Sequence, residues 1–387
     1  MRKALTVVAA VLIFATGVVT PAEAGWEEGV AAFKSKNFQA AAQEFQKLVD
    51  QNPEGFRSHY MLGMSLARLK RKEEALNHLR KAYDLNPNDL SIKLELGRAY
   101  LGVRKYQEVT KLLAQVDVSQ LPAQAKGVFF QMRGEALLKT NQGSRALADF
   151  RELSKLKPKD ADIQFKYGVL ALREDQLDTG ITALDRAVRL DPGDAAKKSA
   201  YANALIKKGR MSRDKTAKKT SYLKASELAS DVVAKDPSFD NLMLKMSAEL
   251  GAGLYDQAAA TGLKAQAKNS RDWIVPFYIG QAYTSAGKYA ESEAPLKKAL
   301  ELADAANQGK VWTQLGFAYE KQKKFSESIT AYQNGGNNSA ATRVQENEKI
   351  AADNERIEAE NAQIRAMEEE AKRLEEELKK LEEGGGP

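Results

Sequence analysis

The 387 residues are 43% apolar and 29% charged, the balance of a globular chain with a sizeable core. There is no cysteine, which removes disulfides, thiolate metal sites and a lipid-modified N-terminal cysteine, and there are only two histidines. The formal charge of +7 is unevenly spread: residues 339–387 hold eight Lys/Arg against fourteen Asp/Glu, net −6, which leaves residues 25–338 near +12.

Residues 1–24 read as a secretory signal rather than as part of a fold. Arg2 and Lys3 precede an apolar run from Ala4 to Val19, and Ala22-Glu23-Ala24 is a small-x-small cleavage site. The run is short of the roughly 20 apolar residues of a spanning helix. The expectation is a chain cleaved after Ala24 and exported to a bacterial periplasm or the exterior.

From Gly25 to residue 338 one unit recurs. In His59–Pro87, Leu62 and Leu66 share one face of a first short helix, and Ala75, Leu79 and Ala82 share one face of a second. Gly63 and Ala75 are small where the two axes must approach, and Pro87 cannot continue the second helix. Gly29, Gly63 and Gly97 stand 34 residues apart, a period that marks a solenoid. Nine units can be laid in phase, with Gly134, Gly168, Ala202, Met246-Ser247, Gly280 and Gly316 in the place of Gly63. Units close at Pro53, Pro87, Pro122, Pro158, Pro192 and Pro237. Unit six departs: its second helix, marked by Ala225, comes eleven residues late, after a basic insertion at 209–219. Unit seven is the weakest match.

In unit nine, Trp312-x-x-Leu315-Gly316-x-x-Tyr319 followed by Ser328-x-x-x-Tyr332 resembles the tetratricopeptide repeat, a helix–turn–helix motif. The resemblance covers about 310 residues. It implies an all-α, right-handed superhelical solenoid whose first helices line a concave groove that takes peptides or proteins. Carried onto this sequence, the groove positions include Trp26, Lys34, Tyr60, Met64, Arg68, Arg98 and Lys139, then Phe165, Arg173, Phe277, Gln281 and Lys321. Aromatic and methionine walls with recurring cations suit an extended or helical peptide bearing acidic groups; the competing reading is that the aromatics pack between repeats and the cations are solvated. Members that clamp a chaperone's C-terminal carboxylate carry Lys and Asn at two positions of successive first helices. Here those positions are Trp26/Val30, Tyr60/Met64 and Leu94/Arg98, so that mode is not expected.

The insertion GRMSRDKTAKK offers Arg210, Arg213, Lys215, Lys218 and Lys219 to an anionic polysaccharide, cell wall or lipid surface, or is simply a solvated extension of two helices. Nucleic acid is not expected, because no aromatics interleave these cations. Catalysis has little to work with. His59 and His78 lie in one unit without a carboxylate cluster, and no phosphate loop, nucleophile elbow or zinc-protease motif occurs. Gly251-Ala252-Gly253 reads as an inter-helix turn. No cofactor, metal or catalytic residue is assigned.

At 339–383 the pattern becomes a heptad seam. Ile350, Asn354, Ile357, Asn361 and Ile364 are followed, after one extra step of three, by Met367, Ala371, Leu374, Leu378 and Leu381. A homo-oligomer through Ile350, Ile357, Ile364, Leu374, Leu378 and Leu381 is one expectation. A lone charged helix, a cap on unit nine and docking of the acidic tail on the basic array are the others. Residues 384–387 form a flexible tail. The function expected is a non-enzymatic scaffold of the cell envelope.

Overall fold

The computed structural model describes residues 21–384. The expected signal segment up to Thr20 and the last three tail residues lie outside the described residues, as do the side chains of 21–24 and of 381–384, Leu381 included. Among the described residues there are nineteen α-helices, one short 3-10 helix and no strand. The chain divides into two compact bodies between Leu190 and Asp191.

In the first body α1 (Pro21–Lys34) turns back on α2 (Phe38–Gln51), α3 (Phe56–Arg68) on α4 (Lys72–Leu85), and α5 (Leu90–Gly102) on α6 (Tyr106–Ala114). Then α7 (Ala123–Lys139) pairs with α8 (Gly143–Leu156), and α9 (Ala161–Arg173) with α10 (Leu177–Leu190). In the second body the pairs are α11 (Ala195–Met211) with α12 (Lys215–Lys235) and α13 (Phe239–Ala252) with α14 (Tyr255–Lys268). They are followed by α15 (Ile274–Ser285) with α16 (Tyr289–Leu302), α17 (Ala305–Lys321) with α18 (Phe325–Asn334), and the single helix α19 (Asn338–Gly384). The described residues thus form the nine helix pairs expected from the period. Pro53, Pro87, Pro158, Pro192 and Pro237 each stand two residues beyond a second helix. Pro122 does not: α6 is short, a 3-10 turn at Val118–Gln120 follows it, and Pro122 caps the start of α7.

One turn joins the two helices of eight units. In unit two, Lys70 N–H donates to Ala67 O (3.1 Å) and Arg71 N–H to Leu66 O (3.0 Å), the paired bonds of a Schellman close. The residue at the bend is left-handed. Gly253 and Gly287 adopt it without strain, whereas Lys36, Lys70, Arg104, Asn141, Asp175 and Lys323 adopt it with a side chain.

Packing within a unit is an interlock of small against large. A β-carbon on Gly63 would lie 2.7 Å from Leu79 Cγ, one on Gly168 2.8 Å from Leu184 Cγ, and one on Gly280 2.5 Å from Leu296 Cγ. Gly29, Gly134 and Gly316 meet Phe45, Phe150 and Tyr332 in the same way. In every one of these pairs the large residue follows its glycine by sixteen positions. Unit seven reverses the order. Met246 takes the glycine's place and Gly262 the bulky one, and a β-carbon on Gly262 would lie 2.8 Å from the Met246 sulfur. The unit that matched worst is therefore built on the same fit with the partners exchanged. Unit four adds a clamp: Arg133 makes two bonds to the buried carboxylate of Asp149 (2.6 and 2.9 Å), with its guanidinium 4.5 Å over the Phe129 ring.

The basic insertion of unit six lengthens both helices around the short turn Ser212–Asp214, so α12 runs for 21 residues. Its second helix starts four residues late rather than eleven, at Lys215, and only its packing positions, such as Ala225, come eleven late, because the added turns are helical. Tyr222, nearly buried, anchors the base of this hairpin against Gly209 of α11 and Gly251 of α13. Gly251 is thus a packing residue in the last turn of α13, and Gly253 makes the turn.

The interlock has a direct test. Gly280→Val should cost about 1–3 kcal/mol through overpacking against Leu296. Gly102→Ala, with open space around it, should be neutral or stabilising by up to about 1 kcal/mol. Equal denaturation midpoints for the two variants would contradict the interlock.

Candidate partner-binding site

None of the twelve residues assigned to the groove is buried. Lys34, Arg68, Arg98, Lys139, Arg173 and Lys321 are exposed, and Trp26, Tyr60, Met64, Phe165, Phe277 and Gln281 are half-buried. The cations are solvated while the aromatics flank the core. Trp26 meets Phe45 edge-on with ring centres 5.5 Å apart, Phe277 lies 5.7 Å from Trp273, and Tyr60 packs against the cluster of Leu76, Leu79, Leu96 and Leu112. Burial, with Glu95 and Asp89 nearby, pushes the Tyr60 hydroxyl pKa well up, so it remains a neutral donor. Lys321 sits 5.4 Å over Phe317, a neighbouring groove aromatic.

Three of the twelve converge. Met64 and Arg68 on α3 and Arg98 on α5 border a cleft of about 170 Å³. Its floor is apolar, from Ala67, Ala75, Leu79 and Ala99, and Lys72 at the start of α4 joins the rim. The rim cations differ in what they hold. Arg98 is paired with Glu95 at 2.5 Å, and the Lys72 ammonium donates to the Gly102 carbonyl at 3.3 Å. Arg68 has no ion-pair partner among the described residues, whereas Glu95, which also lines the cleft, is held by Arg98. An apolar floor under an unpaired guanidinium fits a carboxylate carried on a short aliphatic stem.

Lys139 is not part of this cleft. It borders a larger one, of about 740 Å³, with Arg80 of α4, Tyr100 of α5, Arg104 and Lys105 of the following turn, and Tyr106 and Glu108 of α6. Glu108 faces Lys111 at 3.6 Å, so the cations dominate. Lys105 and Lys139 stand one 34-residue period apart, but Arg80, Tyr100 and Glu108 come from other positions of the unit, so the gathering itself was not visible in the sequence. Arg173 borders a third cleft, of about 210 Å³, with Ser144 and Glu174.

The five insertion cations Arg210, Arg213, Lys215, Lys218 and Lys219 are all exposed, and none has an ion-pair partner among the described residues. Met211, between them, is 66% exposed.

The two histidines meet. His59 Nδ1 and His78 Nδ1 are 3.0 Å apart, and His59 Nε2 lies 3.0 Å from the Pro53 carbonyl. With both rings neutral, His59 donates from Nε2 to Pro53 and accepts at Nδ1, so His78 donates from Nδ1. Burial and the neighbouring His59 ring lower the His78 pKa, against the opposing pull of Glu74 and Asp50. Among the described residues no set of three His, Cys, Asp or Glu is grouped for a metal ion. The pair ties α3 to α4 and to the preceding turn.

Comparison with known proteins bears on the repeats. Residues 27–89 and 132–195, together about a third of the chain, match the tetratricopeptide-repeat family model. A search of curated proteins finds no match. Among solved structures, the chain is similar to YrrB, described as a TPR protein with an unusual peptide-binding site, at 22% identity and a TM-score of 0.44. That alignment covers 54% of this chain and 99% of YrrB. It is also similar to MamA from Desulfovibrio magneticus RS-1, at 16% identity and a TM-score of 0.39, over 46% of this chain and 94% of that one. A second MamA structure, designated MSR-1, aligns at 18% identity and a TM-score of 0.38 over 49% and 98%.

The histidine pair makes stability depend on pH. Because the folded state lowers the His78 pKa, the unfolded chain takes up the proton more readily. The contribution is full above the ordinary histidine value of about 6.5 and is lost as pH falls through the lowered folded value. Denaturation midpoints measured at about pH 8 and about pH 5 should diverge less in His78→Gln than in the parent chain. An identical pH dependence in the two would refute the pairing.

Proposed function

We propose that this chain is a non-enzymatic scaffold of the bacterial cell envelope that binds an extended peptide segment of a partner protein across its first helices. The observation that carries the reading is the cleft between α3, α4 and α5, where Met64, Arg68 and Arg98 meet over an apolar floor. Repeats of this kind leave one helix face free of packing, and such faces take peptides through side-chain pockets. The free Arg68 guanidinium favours an Asp or Glu next to an apolar residue in the partner. Export rests on the signal features of residues 1–24. Among the described residues no helix is long and apolar enough to cross a membrane.

A second reading comes from the α11–α12 hairpin. Its five exposed cations around Met211 would attach the molecule to an anionic surface, of which an acidic lipid membrane is the simplest. The two readings use different residues, and separate experiments distinguish them.

Selection of random displayed peptides on the intact protein should yield sequences with Asp or Glu beside an apolar residue. Arg68→Ala should weaken their binding about tenfold or more, whereas Arg189→Ala, on a second helix, should not. Failure of selection, or indifference to Arg68→Ala, would remove the peptide reading. For the hairpin, co-sedimentation with anionic vesicles should fall steeply between about 0.05 and about 0.5 M salt. It should be lost in the Lys215→Ala, Lys218→Ala, Lys219→Ala variant. Retention by that variant would remove the surface reading.

A further inference from the structure

The first turns of α19 belong to the body that precedes it. Ala340, Ala341 and Val344 are buried against Tyr332, and Arg343 bonds Glu320 at 2.7 Å. The Tyr332 hydroxyl also donates to that carboxylate, and burial together with this bond pushes the tyrosine's pKa up to about 12. Beyond this anchor the packing stops. From Ala352 to Lys380 every described side chain is exposed, and the seam residues Ile357, Ile364, Met367, Leu374 and Leu378 are 48–61% exposed. A row of large apolar side chains held open along a continuous helix is a partner surface.

The charges beside the seam decide the partner. With Asn354, Asn361, Ala371 and Leu378 at one core position and the isoleucines and Leu374 at the other, the flanking positions fall on Asp353, Glu358, Glu360, Glu370, Glu375 and Glu377. Arg365 is the one flanking cation between Asp353 and Glu377. The remaining cations, among them Lys372, Arg373, Lys379 and Lys380, lie on the opposite face. There they can pair within the helix with a Glu four residues earlier. Arg356 leans towards Asp353 (3.5 Å) and Glu360 (3.9 Å), a partial offset at one point.

A second copy in parallel register sets Asp353 against Glu358 and Glu370 against Glu375 of its neighbour; an antiparallel copy sets acidic row against acidic row. A parallel pair gains one attraction, Glu360 with Arg365, but otherwise like charges line the edges of a core already weakened by two asparagines, an alanine and a break in the heptad. Reversing the sign on the other helix turns each repulsion into attraction.

We infer that the seam of α19 binds an amphipathic helix of another protein, one whose apolar stripe is edged by Lys or Arg, in a heterotypic coiled coil. The same acidic edges disfavour self-association through this face at neutral pH. The inference is independent of the peptide cleft between α3 and α5, which it does not use.

The test uses the full chain and two synthetic heptad peptides that share leucine at the core positions and differ only in carrying Lys or Glu at the flanking ones. Light scattering at neutral pH and low salt should give a monomer. Calorimetric titration should show the Lys peptide binding about 100-fold or more tightly than the Glu peptide, with binding weakened about tenfold or more by raising salt to about 0.5 M. The double substitution Ile357→Asp, Leu374→Asp should abolish it; both side chains are exposed, and unchanged helical circular dichroism would show that the fold is retained. Three results overturn the inference: equal binding of the two peptides, Lys-peptide binding that survives the double substitution, or self-association of the full chain that the double substitution removes.

Discussion

The structure rests on one repeated fit: in seven of the nine pairs a glycine on the first helix receives a bulky side chain from the second, sixteen positions later. It sets how closely the axes approach, and therefore how the apolar faces of successive pairs meet. Where Gly63 faces Leu79 or Gly280 faces Leu296, even one methyl group would enter the space of the partner. The pair Met246 and Gly262 shows that the fit, not the identity of either residue, is what the fold requires. Volume is conserved across the contact while its assignment to the two helices is exchanged. The long hairpin of α11 and α12 solves the same problem differently, with Tyr222 wedged between two glycines.

This explains what was legible in the sequence. The period of Gly29, Gly63 and Gly97 is the interlock written out in order, and the prolines beyond each second helix follow from proline's missing donor. The left-handed bends at Lys36, Lys70, Arg104 and Lys323 were not legible, because a cation there carries no mark of positive φ; the two closing hydrogen bonds hold it in place. The insertion was visible as basic composition and as an extension of two helices, and α11 and α12 are lengthened in that way. The contact between His59 and His78 was hidden by reading each as a position in its own helix. In space they face each other across one pair. The cationic cleft around Arg80, Arg104 and Lys139 was invisible for a different reason: it is made where the edges of neighbouring units meet, and Arg80 and Tyr100 enter it from other positions of the unit.

Charge gives the molecule separate addresses. The first-helix faces and the tip of the α11–α12 hairpin are basic, and the two edges of the α19 seam are acidic. Each surface pairs an apolar element with one dominant sign of charge: Leu79 and Ala99 under Arg68, Met211 among the hairpin cations, and the isoleucine–leucine row between carboxylates. Apolar area supplies affinity and the charged edge selects the partner. Within each body the paired helices hold these surfaces in place before any partner arrives, which lowers the ordering cost of binding.

The most direct measurement of the central claim, that an acidic side chain of an extended partner sits at Arg68, is a double-mutant cycle. It combines Arg68→Ala with replacement of the carboxylate in a bound peptide by its amide, and affinities are measured for all four combinations. A partner carboxylate on Arg68 predicts a coupling of about 1–3 kcal/mol. Changes that add to within about 0.5 kcal/mol would place the peptide elsewhere and contradict the account.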